Sequence, residues 1–338
     1  MFRSPRRAAA IVLLMVLPLV LAACSDTGGK KAAEAAAGGG NTVAAGHANT
    51  PHYTIAMITH AAPGDTFWDK IRNGATAAAA KDNITLKYSS DPDPTKQAQL
   101  IDDAVNSHVN GIAVTDPNPG ALCPTIQKAK QAGIPIVMFN AGYSNYQSCG
   151  GMEYFGQDEQ LAGVAAGKRL AAAGKKNVLC VLQAQGQAQL EARCAGVKEG
   201  LGSEGTMSKL YVNGVDNSAV LSSLSAELTR NTKIDAVITL GAQFALIAIQ
   251  ALNQAHSSAK LYTFDTSAEE IAKIKSGAVQ WAVDQQPYLQ GYESVDGLWL
   301  YLTNGNIIGG GQVVLTGPSF VDASNVDAVA KYAAAGNR

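Results

Sequence analysis

The chain has 338 residues, of which 47% are hydrophobic and 16% charged, and its formal net charge is −1. A chain of this length can bury a sizeable core and favours two domains over one. Its near-neutral charge argues against a nucleic-acid-binding protein, because such a protein needs a basic face.

The N-terminus has the features of an export signal. Arg3, Arg6 and Arg7 precede an apolar stretch over residues 8–20, which is short for a transmembrane helix. We therefore predict that residues 1–23 are a signal peptide and that the protein is extracytoplasmic.

A candidate lipidation site ends this segment. Residues 21–24 read Leu-Ala-Ala-Cys. They resemble the lipobox of bacterial lipoproteins, which implies cleavage before Cys24, diacylation of its sulfur and anchoring at the outer face of the cell membrane. The alternative is an ordinary signal peptide with a chance cysteine. Residues 24–51, rich in alanine and glycine, are predicted to be a flexible tether.

The next segment alternates short apolar strands with helices. Strands are predicted at 53–58, 84–88, 111–115 and 134–139, and helices at 67–81, 95–107 and 122–132. This alternation is typical of a parallel sheet that is covered on both faces.

The pattern restarts near residue 160. Helices are predicted at 160–173, 189–201, 219–229, 243–255 and 267–276, with strands at 177–183, 209–212, 236–240 and 260–264. Two consecutive halves of this kind predict a two-lobed α/β protein.

Polar loops follow most of these strands. Ligands of open α/β sheets bind at the carboxyl ends of the strands. Amide and carboxylate side chains are prominent at 60–68, 115–116, 140–142, 183–187, 241–243, 265–266 and 284–286. Such side chains form hydrogen bonds with hydroxyl groups, although they also cap helices. Seven such loops together favour a binding cleft.

Residues 281–292 join these features in one stretch. They begin in a strand predicted at 279–283, continue through Asp284, Gln285 and Gln286, and enter a helix at Pro287. We expect this stretch to cross between two lobes and to place a polar side chain in the cleft between them.

Several motifs, in order, carry a family resemblance. They are Thr66-Phe67-Trp68 before Asn73-Gly74-Ala75, Gly-Ile-Pro-Ile-Val at 133–137, Glu-Ala-Arg-Cys-Ala-Gly at 191–196, Phe264-Asp265-Thr266, and Asp-Gln-Gln-Pro at 284–287. Over residues 53–318 the chain resembles the bacterial periplasmic sugar-binding proteins of the ribose-binding type, the substrate-binding subunits of ABC importers.

The resemblance implies the type I periplasmic-binding-protein fold. In that fold, two Rossmann-like lobes with parallel sheets are joined by a three-segment hinge, here expected around 155–158, 284–287 and 316–320. The N-terminal lobe would comprise 52–156 plus 286–317, and the C-terminal lobe 157–285 plus 318–338.

The resemblance also implies ligand contacts. Asp65 stands where the family has an amide that bonds to sugar hydroxyls. Phe67 and Trp68 stand where aromatic rings cover the sugar, although both also suit a helix core. Arg193 matches an arginine whose fork of donors suits two vicinal oxygens, or else lies on a helix surface. Asp265 matches an aspartate that accepts two hydroxyl protons, or else caps the next helix.

Other positions are weaker matches or departures. Gln285 matches a cleft glutamine, and Gln286 is expected to hold the hinge backbone. Asn140 and Ala141 replace an aspartate and an arginine of the family, and Gly241-Ala242 replaces an Asn–Asp pair. The residues that would compensate are Gln185, Gln187 and Gln243, with Asp116 as a further candidate. These departures make ribose a poor match and favour a polyol, a deoxysugar, an inositol or a different pentose.

Four cysteines remain once Cys24 is assigned to the lipid. Outside the cytoplasm they are expected to form disulfides, for which three connectivities exist. We favour Cys123–Cys149 and Cys180–Cys194, because each pair then lies within one expected lobe.

The absence of a CxxC motif and the scattered histidines argue against a metal site.

These features predict a monomeric binding lipoprotein. It would close around a sugar, polyol or inositol and present it to ABC permease subunits, without a cofactor and without catalysis. Delivery to a chemotaxis or signalling receptor is an alternative.

Two other classes of protein fit the sequence less well. A regulator of the lactose-repressor type would need a helix-turn-helix where this chain has its predicted signal peptide. A secreted glycoside-acting enzyme would need Asp65, Asp116 and Asp265 to converge, and common catalytic motifs are absent.

Overall fold

The structure, a computed structural model, describes residues 48–338. The predicted signal peptide, Cys24 and most of the predicted tether lie outside the described residues. The strands are β1 Tyr53–Thr59, β2 Ile84–Ser90, β3 Gly111–Val114, β4 Ile136–Phe139, β5 Glu153–Gln157, β6 Asn177–Leu182, β7 Thr206–Tyr211, β8 Ala236–Thr239, β9 Lys260–Phe264, β10 Trp281–Asp284, β11 Val313–Gly317 and β12 Ser319–Asp322.

Helices connect these strands. They are α1 Phe67–Lys81, α2 Pro94–Asn106, α3 Pro119–Gln131, α4 Tyr146–Cys149, α5 Glu159–Ala172, α6 Ala188–Leu201, α7 Asn217–Arg230, α8 Ala242–Gln254, α9 Ala268–Lys275, α10 Pro287–Asn304 and α11 Val326–Ala334.

The strands form two six-stranded sheets. Their orders are β11-β5-β4-β3-β1-β2 and β12-β10-β9-β8-β6-β7. Pairing is parallel except between β10 and β12. The inner strands β3, β4, β8 and β10 are buried along their whole length, as expected of sheets covered on both faces. The prediction of two α/β lobes with mainly parallel sheets is confirmed.

Some elements were not assigned from the sequence. Strand β5 was identified only as part of a hinge crossing, and β11, β12 and α11 were not predicted as elements. Strands β11 and β12 each lie at one edge of a sheet, are five and four residues long, and are mostly half-buried. They therefore lack the continuous apolar run that marks the inner strands.

The chain passes between the two sheets at three places: after β5, after β10 and after β11. Two of these crossings are tied together by side chains. Gln286 donates from Nε2 to the carbonyl of Thr316 at 2.6 Å, and Gln290 donates to the Thr316 hydroxyl at 3.1 Å. Gln286 thus holds hinge backbone, as expected, and it does so at a positive φ of 56°.

Helix α10 returns the chain to the first lobe and packs tightly on α1. A Cβ on Gly291 would lie 1.9 Å from the carbonyl oxygen of Ile71, and one on Gly74 would lie 1.9 Å from that of Tyr288. Both positions therefore require glycine, because the helix backbones touch there.

The last residues of the predicted tether contact the first lobe. The Thr50 carbonyl accepts from Asn83 Nδ2 at 2.9 Å, and its hydroxyl accepts from Trp299 Nε1 at 3.1 Å. The expectation of a free tether as far as residue 51 is therefore corrected at Thr50, because its polar groups find partners on the lobe.

Two disulfides brace the lobes internally. Cys123 is bonded to Cys149 in the first lobe, and Cys180 to Cys194 in the second. These are the pairings favoured from the sequence.

Candidate functional site

A cleft of about 690 Å³ lies between the lobes, at the carboxyl ends of strands from both sheets. Its volume is within the range of small-molecule sites. The structure brings ten of the proposed ligand residues to its walls: Asp65, Phe67, Trp68, Asn140, Gln185, Gln187, Arg193, Gln243, Asp265 and Gln285. Gly241 and Ala242 line it as well.

Asp116 is not among the cleft-lining residues. Its side chain is fully buried, and its Oδ2 accepts a hydrogen bond from Asn145 Nδ2 at 2.7 Å. Burial raises the pKa of Asp116 to about 6. The expectation for Asp116 is corrected: its place after β3 is suitable, but its carboxylate is engaged within the first lobe.

Arg193 is held by a buried carboxylate. Its Nε and Nη2 donate to the two oxygens of Glu159 at 2.6 and 2.9 Å, and its Nη1 donates to the Leu240 carbonyl at 3.1 Å. Burial alone would lower the pKa of Arg193, but the charges of Glu159 and Asp265 raise it. Glu159 thus occupies Nε and one N–H group of Nη2, and the remaining N–H groups of Nη1 and Nη2 are the ones that the expected ligand contact would use.

Asp265 follows β9 with a positive φ of 65°. Its Oδ1 accepts from Gln285 Nε2 at 2.6 Å, while its Oδ2 lies 3.7 Å from Arg193 Nη1. Burial raises the pKa of Asp265 to about 6, although Arg193 opposes that shift. The N-cap of α9 is Ser267 rather than Asp265, so the carboxylate of Asp265 does not cap that helix.

A chain of amides crosses the hinge beside the cleft. Asn140 Nδ2 donates to Gln285 Oε1 at 3.2 Å and to Gln290 Oε1 at 3.1 Å, and Gln285 then donates to Asp265. Asn140 also has a positive φ, 61°. Such backbone conformations persist in non-glycine residues where surrounding contacts determine them, and they concentrate at functional sites. The Gln285 amide thus orients Asp265 from the hinge.

The aromatic wall belongs to both the core and the cleft. Trp68 is buried in the first-lobe core and meets Phe67 edge to face, with ring centroids 5.3 Å apart. Asp65 Oδ1 accepts from the Phe67 backbone N–H at 3.0 Å, which orders the loop before α1. Burial raises the pKa of Asp65.

Sequence reasoning missed several lining residues. The loops after β2 and β7 were left out of the strand-end comparison, and they supply Pro92, Tyr211, Val212, Asn213, Gly214, Val215 and Asn217. The rule that ligands bind at the carboxyl ends of strands, applied to β2 and β7, would have found these lining residues.

Lys70 was missed for a different reason. It lies within α1, where helical spacing gave no signal, yet it is buried and lines the cleft. Burial lowers its pKa, while the charges of Asp265 and Asp65 act in the opposite direction. Lys70 therefore brings a positive charge to the wall that faces the second-lobe carboxylate.

Two α/β lobes joined by three crossings, with a polar cleft at their strand ends, define a two-lobed ligand-binding protein. The sequence profile of the periplasmic binding protein domain matches residues 55–306. The chain belongs to this family.

Known proteins agree with this assignment. A carbohydrate transporter from Acidothermus cellulolyticus 11B, solved in complex with myo-inositol, is 60% identical; the alignment covers 85% of this chain and 100% of that one, with a TM-score of 0.84. A solute-binding protein from Agrobacterium vitis, bound to α-D-tagatopyranose, is 26% identical over 83% of this chain and 98% of that one, with a TM-score of 0.72.

A xylose/arabinose-binding protein from Sulfolobus acidocaldarius is 26% identical over 261 residues, or 72% of this chain. The chain spans 64% of that relative's length. These names describe binding and transport of sugars rather than catalysis, in agreement with the prediction that the chain is not an enzyme. Membership of a periplasmic family agrees with an extracytoplasmic location.

Within residues 48–338, no helix has the length and apolar character needed to cross a membrane.

Proposed function

We propose that this protein captures a cyclitol, with myo-inositol as the first candidate, in the cleft between its lobes and delivers it to an ABC importer. The observation that carries the proposal is the likeness to the Acidothermus transporter, which was solved with myo-inositol and is 60% identical over its whole chain. A pentose or another polyol is the competing ligand class.

The cleft chemistry supports an uncharged polyhydroxylated ring. Arg193 is neutralised by Glu159, so the cleft does not present an unpaired guanidinium that would call for an anionic ligand. Carboxylate and amide groups of Asp65, Asp265 and Asn140 supply acceptors and donors for hydroxyl groups. Because an unpaired buried hydroxyl costs about 1–3 kcal/mol, this polar set selects among stereoisomers.

The proposed contacts share one arrangement, with polar groups from both lobes around an aromatic wall. They are Asp65, Phe67, Trp68, Asn140, Arg193, Asp265 and Gln285, with Gln185, Gln187 and Gln243 as secondary contacts. A ligand touching both lobes favours the closed form, because it gains contacts there that the open form lacks. The bodies that move would be 52–156 plus 286–317 and 157–285 plus 318–338.

Anchoring and delivery complete the proposal. Lipidated Cys24 would hold the protein at the outer face of the membrane, where permease subunits receive the ligand. Palmitate labelling of cells tests the anchor: Cys24→Ala is expected to abolish incorporation of the label, and equal labelling of both forms would contradict it.

A signalling receptor is the alternative partner. If deletion of the permease gene next to the gene for this protein abolishes uptake of the ligand, that result argues against the receptor.

A thermal-shift screen tests the ligand. Binding raises the unfolding free energy by RT ln(1 + [L]/Kd), about 2.7 kcal/mol at a hundredfold excess over Kd. At equal concentrations, myo-inositol is expected to raise Tm more than D-ribose, L-arabinose, D-glucose or sorbitol. A larger shift with a pentose would replace the cyclitol assignment, and no shift with any of them would refute sugar binding.

A further inference from the structure

A hydrogen bond links the lobes outside the three hinge crossings. His60 follows β1 in the first lobe, and Gln189 is the second residue of α6 in the second lobe. Gln189 Nε2 lies 3.1 Å from His60 Nε2, and both side chains are buried. Beside them, the Ala188 backbone N–H donates to the Pro117 carbonyl at 3.1 Å. We call these two contacts the clasp.

The surroundings determine the proton positions on His60. Gln189 Nε2 also donates to Gln187 Oε1 at 2.9 Å, which orients the amide with its nitrogen towards the imidazole. His60 Nε2 must then accept. Its proton therefore lies on Nδ1, which faces the Thr115 hydroxyl at 2.8 Å.

A charged imidazole does not suit this position. Protonation at Nε2 would direct an N–H group against the N–H groups of Gln189. Thr115 of the β3 end and Trp68 of α1, which packs edge-on at 4.7 Å between centroids, are neutral. The charged neighbour is Arg193 of α6. Burial and then this positive charge lower the pKa of His60 to about 3.

We propose that His60 and Gln189 clasp the closed cleft, and that protonation of His60 opens the clasp and weakens ligand binding in acid. The clasp joins protein atoms of the two lobes, and both of its side chains also line the cleft.

The expected effect follows from proton linkage. If opening returns His60 to an ordinary pKa of about 6.5, closure releases a proton below that pH. Affinity should then be about tenfold weaker at pH 5.5 than at pH 7.5. Burial raises the pKa of the cleft carboxyl Asp265 to about 6, which favours proton uptake on closure and acts in the opposite sense. The His60 contribution must therefore be measured as a difference between variants.

Calorimetric titration with myo-inositol at pH 5.5 and pH 7.5 measures the His60 contribution to the pH dependence of affinity. Relative to His60→Asn, wild type should lose about tenfold more affinity on going to pH 5.5. Gln189→Glu should reverse the trend, because a carboxylate accepts from protonated His60. An equal pH ratio in wild type and His60→Asn would overturn the proposal.

A second arm applies if myo-inositol does not bind, which would refute the proposed ligand but not the clasp. X-ray scattering of the protein alone should then give a larger radius of gyration at pH 5.5 than at pH 7.5 for wild type. His60→Asn should show no such change, and Gln189→Ala should be expanded at both pH values. Circular dichroism confirms that each variant is folded. Identical radii for all forms would overturn the clasp.

Discussion

Polar residues of the cleft are engaged mainly with one another. The Arg193 fork is bonded to Glu159, and Gln285 connects Asn140 to Asp265. Side chains held in this way need little ordering when a ligand arrives, which lowers the entropic cost of binding. The same contacts limit what each residue offers to a ligand.

Asp265 lines the cleft, and its Oδ2 has only a 3.7 Å ion-pair contact with Arg193, so its removal should affect binding more than stability. We expect Asp265→Ala to weaken ligand affinity by about 10–100-fold, the equivalent of a hydrogen bond to a charged group. Calorimetry measures the affinity, and unfolding checks the fold. Unchanged affinity in a folded variant would refute the assignment.

Trp68 is the tryptophan that lines the cleft. Trp281 packs in the second-lobe core against Tyr262, and Trp299 on α10 bonds to Thr50. A ligand-induced fluorescence change should therefore disappear in Trp68→Phe and persist in the control Trp299→Phe. If the Trp68 variant keeps the full signal, the aromatic-wall role is wrong.

Glu270 lies in the first turn of α9 and is fully buried. Its carboxylate oxygens have no hydrogen-bond partner in the part of the chain that the structure describes. Burial, with the charges of Asp265 and Asp284, raises the pKa of Glu270 to about 8. The folded protein thus retains a proton that the unfolded chain releases above its ordinary pKa, so stability falls as pH rises from about 4.5 to about 8.

Glu270→Gln should remove this pH-dependent loss. We expect the variant to be more stable than wild type at pH 8, on the order of 1–3 kcal/mol, and to show little difference at pH 4.5. Denaturant unfolding measures the free energy of unfolding of each variant, with Glu269→Gln at the exposed neighbouring position as the matched control. A difference in stability between Glu270→Gln and wild type that stays constant from pH 4.5 to pH 8 would contradict the proposed role of the buried carboxyl.

Residue types were easier to predict from the sequence than side-chain directions. Reading the loops after strands correctly placed Asp265 and Asn140 at the cleft. The same rule also selected Asp116, whose side chain is bonded to Asn145 instead. Sequence could not reveal the Glu159 partner of Arg193, because a pairing across 34 positions depends on how α5 and α6 pack.

At the scale of elements, close helix packing is set by glycine. The backbones of α1 and α10 touch at Gly74 and Gly291, so a methyl group at either position would overlap a carbonyl oxygen. This contact fastens the returning α10 to the first lobe.

Gly291→Ala should therefore destabilise the protein by about 1–3 kcal/mol or more, through overpacking. Gly120→Ala in α3 is the matched control, because the atom nearest to its added Cβ is 3.8 Å away and alanine favours helix. Thermal unfolding compares the two. Equal melting temperatures for the two variants would contradict the packing argument.

Element prediction succeeded where apolar runs were long and separated by helices. The inner strands β3, β4 and β8 could be identified because burial on both faces demands continuous apolar sequence. The more exposed edge strands β2 and β7 could be identified because helices separate them from the neighbouring strands. Strands β11 and β12 could not, because they are only partly buried, follow one another without an intervening helix, and are formed by pairing with β5 and β10.

For the whole molecule, the two-lobed architecture followed from the repeated alternation, and the crossings followed from the family resemblance. The contacts that join the two lobes could not be predicted from the sequence. The bonds of Gln286 and Gln290 to Thr316 at the hinge, and of Gln189 to His60 across the cleft, join residues far apart in the chain. Such contacts appear only once both sheets are assembled.

Whether the cleft binds myo-inositol is measured by calorimetric titration of myo-inositol into the protein at pH 7.5. We expect saturable heat with one ligand per chain, at an affinity above that for D-ribose under the same conditions. Absence of saturable heat with myo-inositol, or tighter binding of D-ribose, would contradict it.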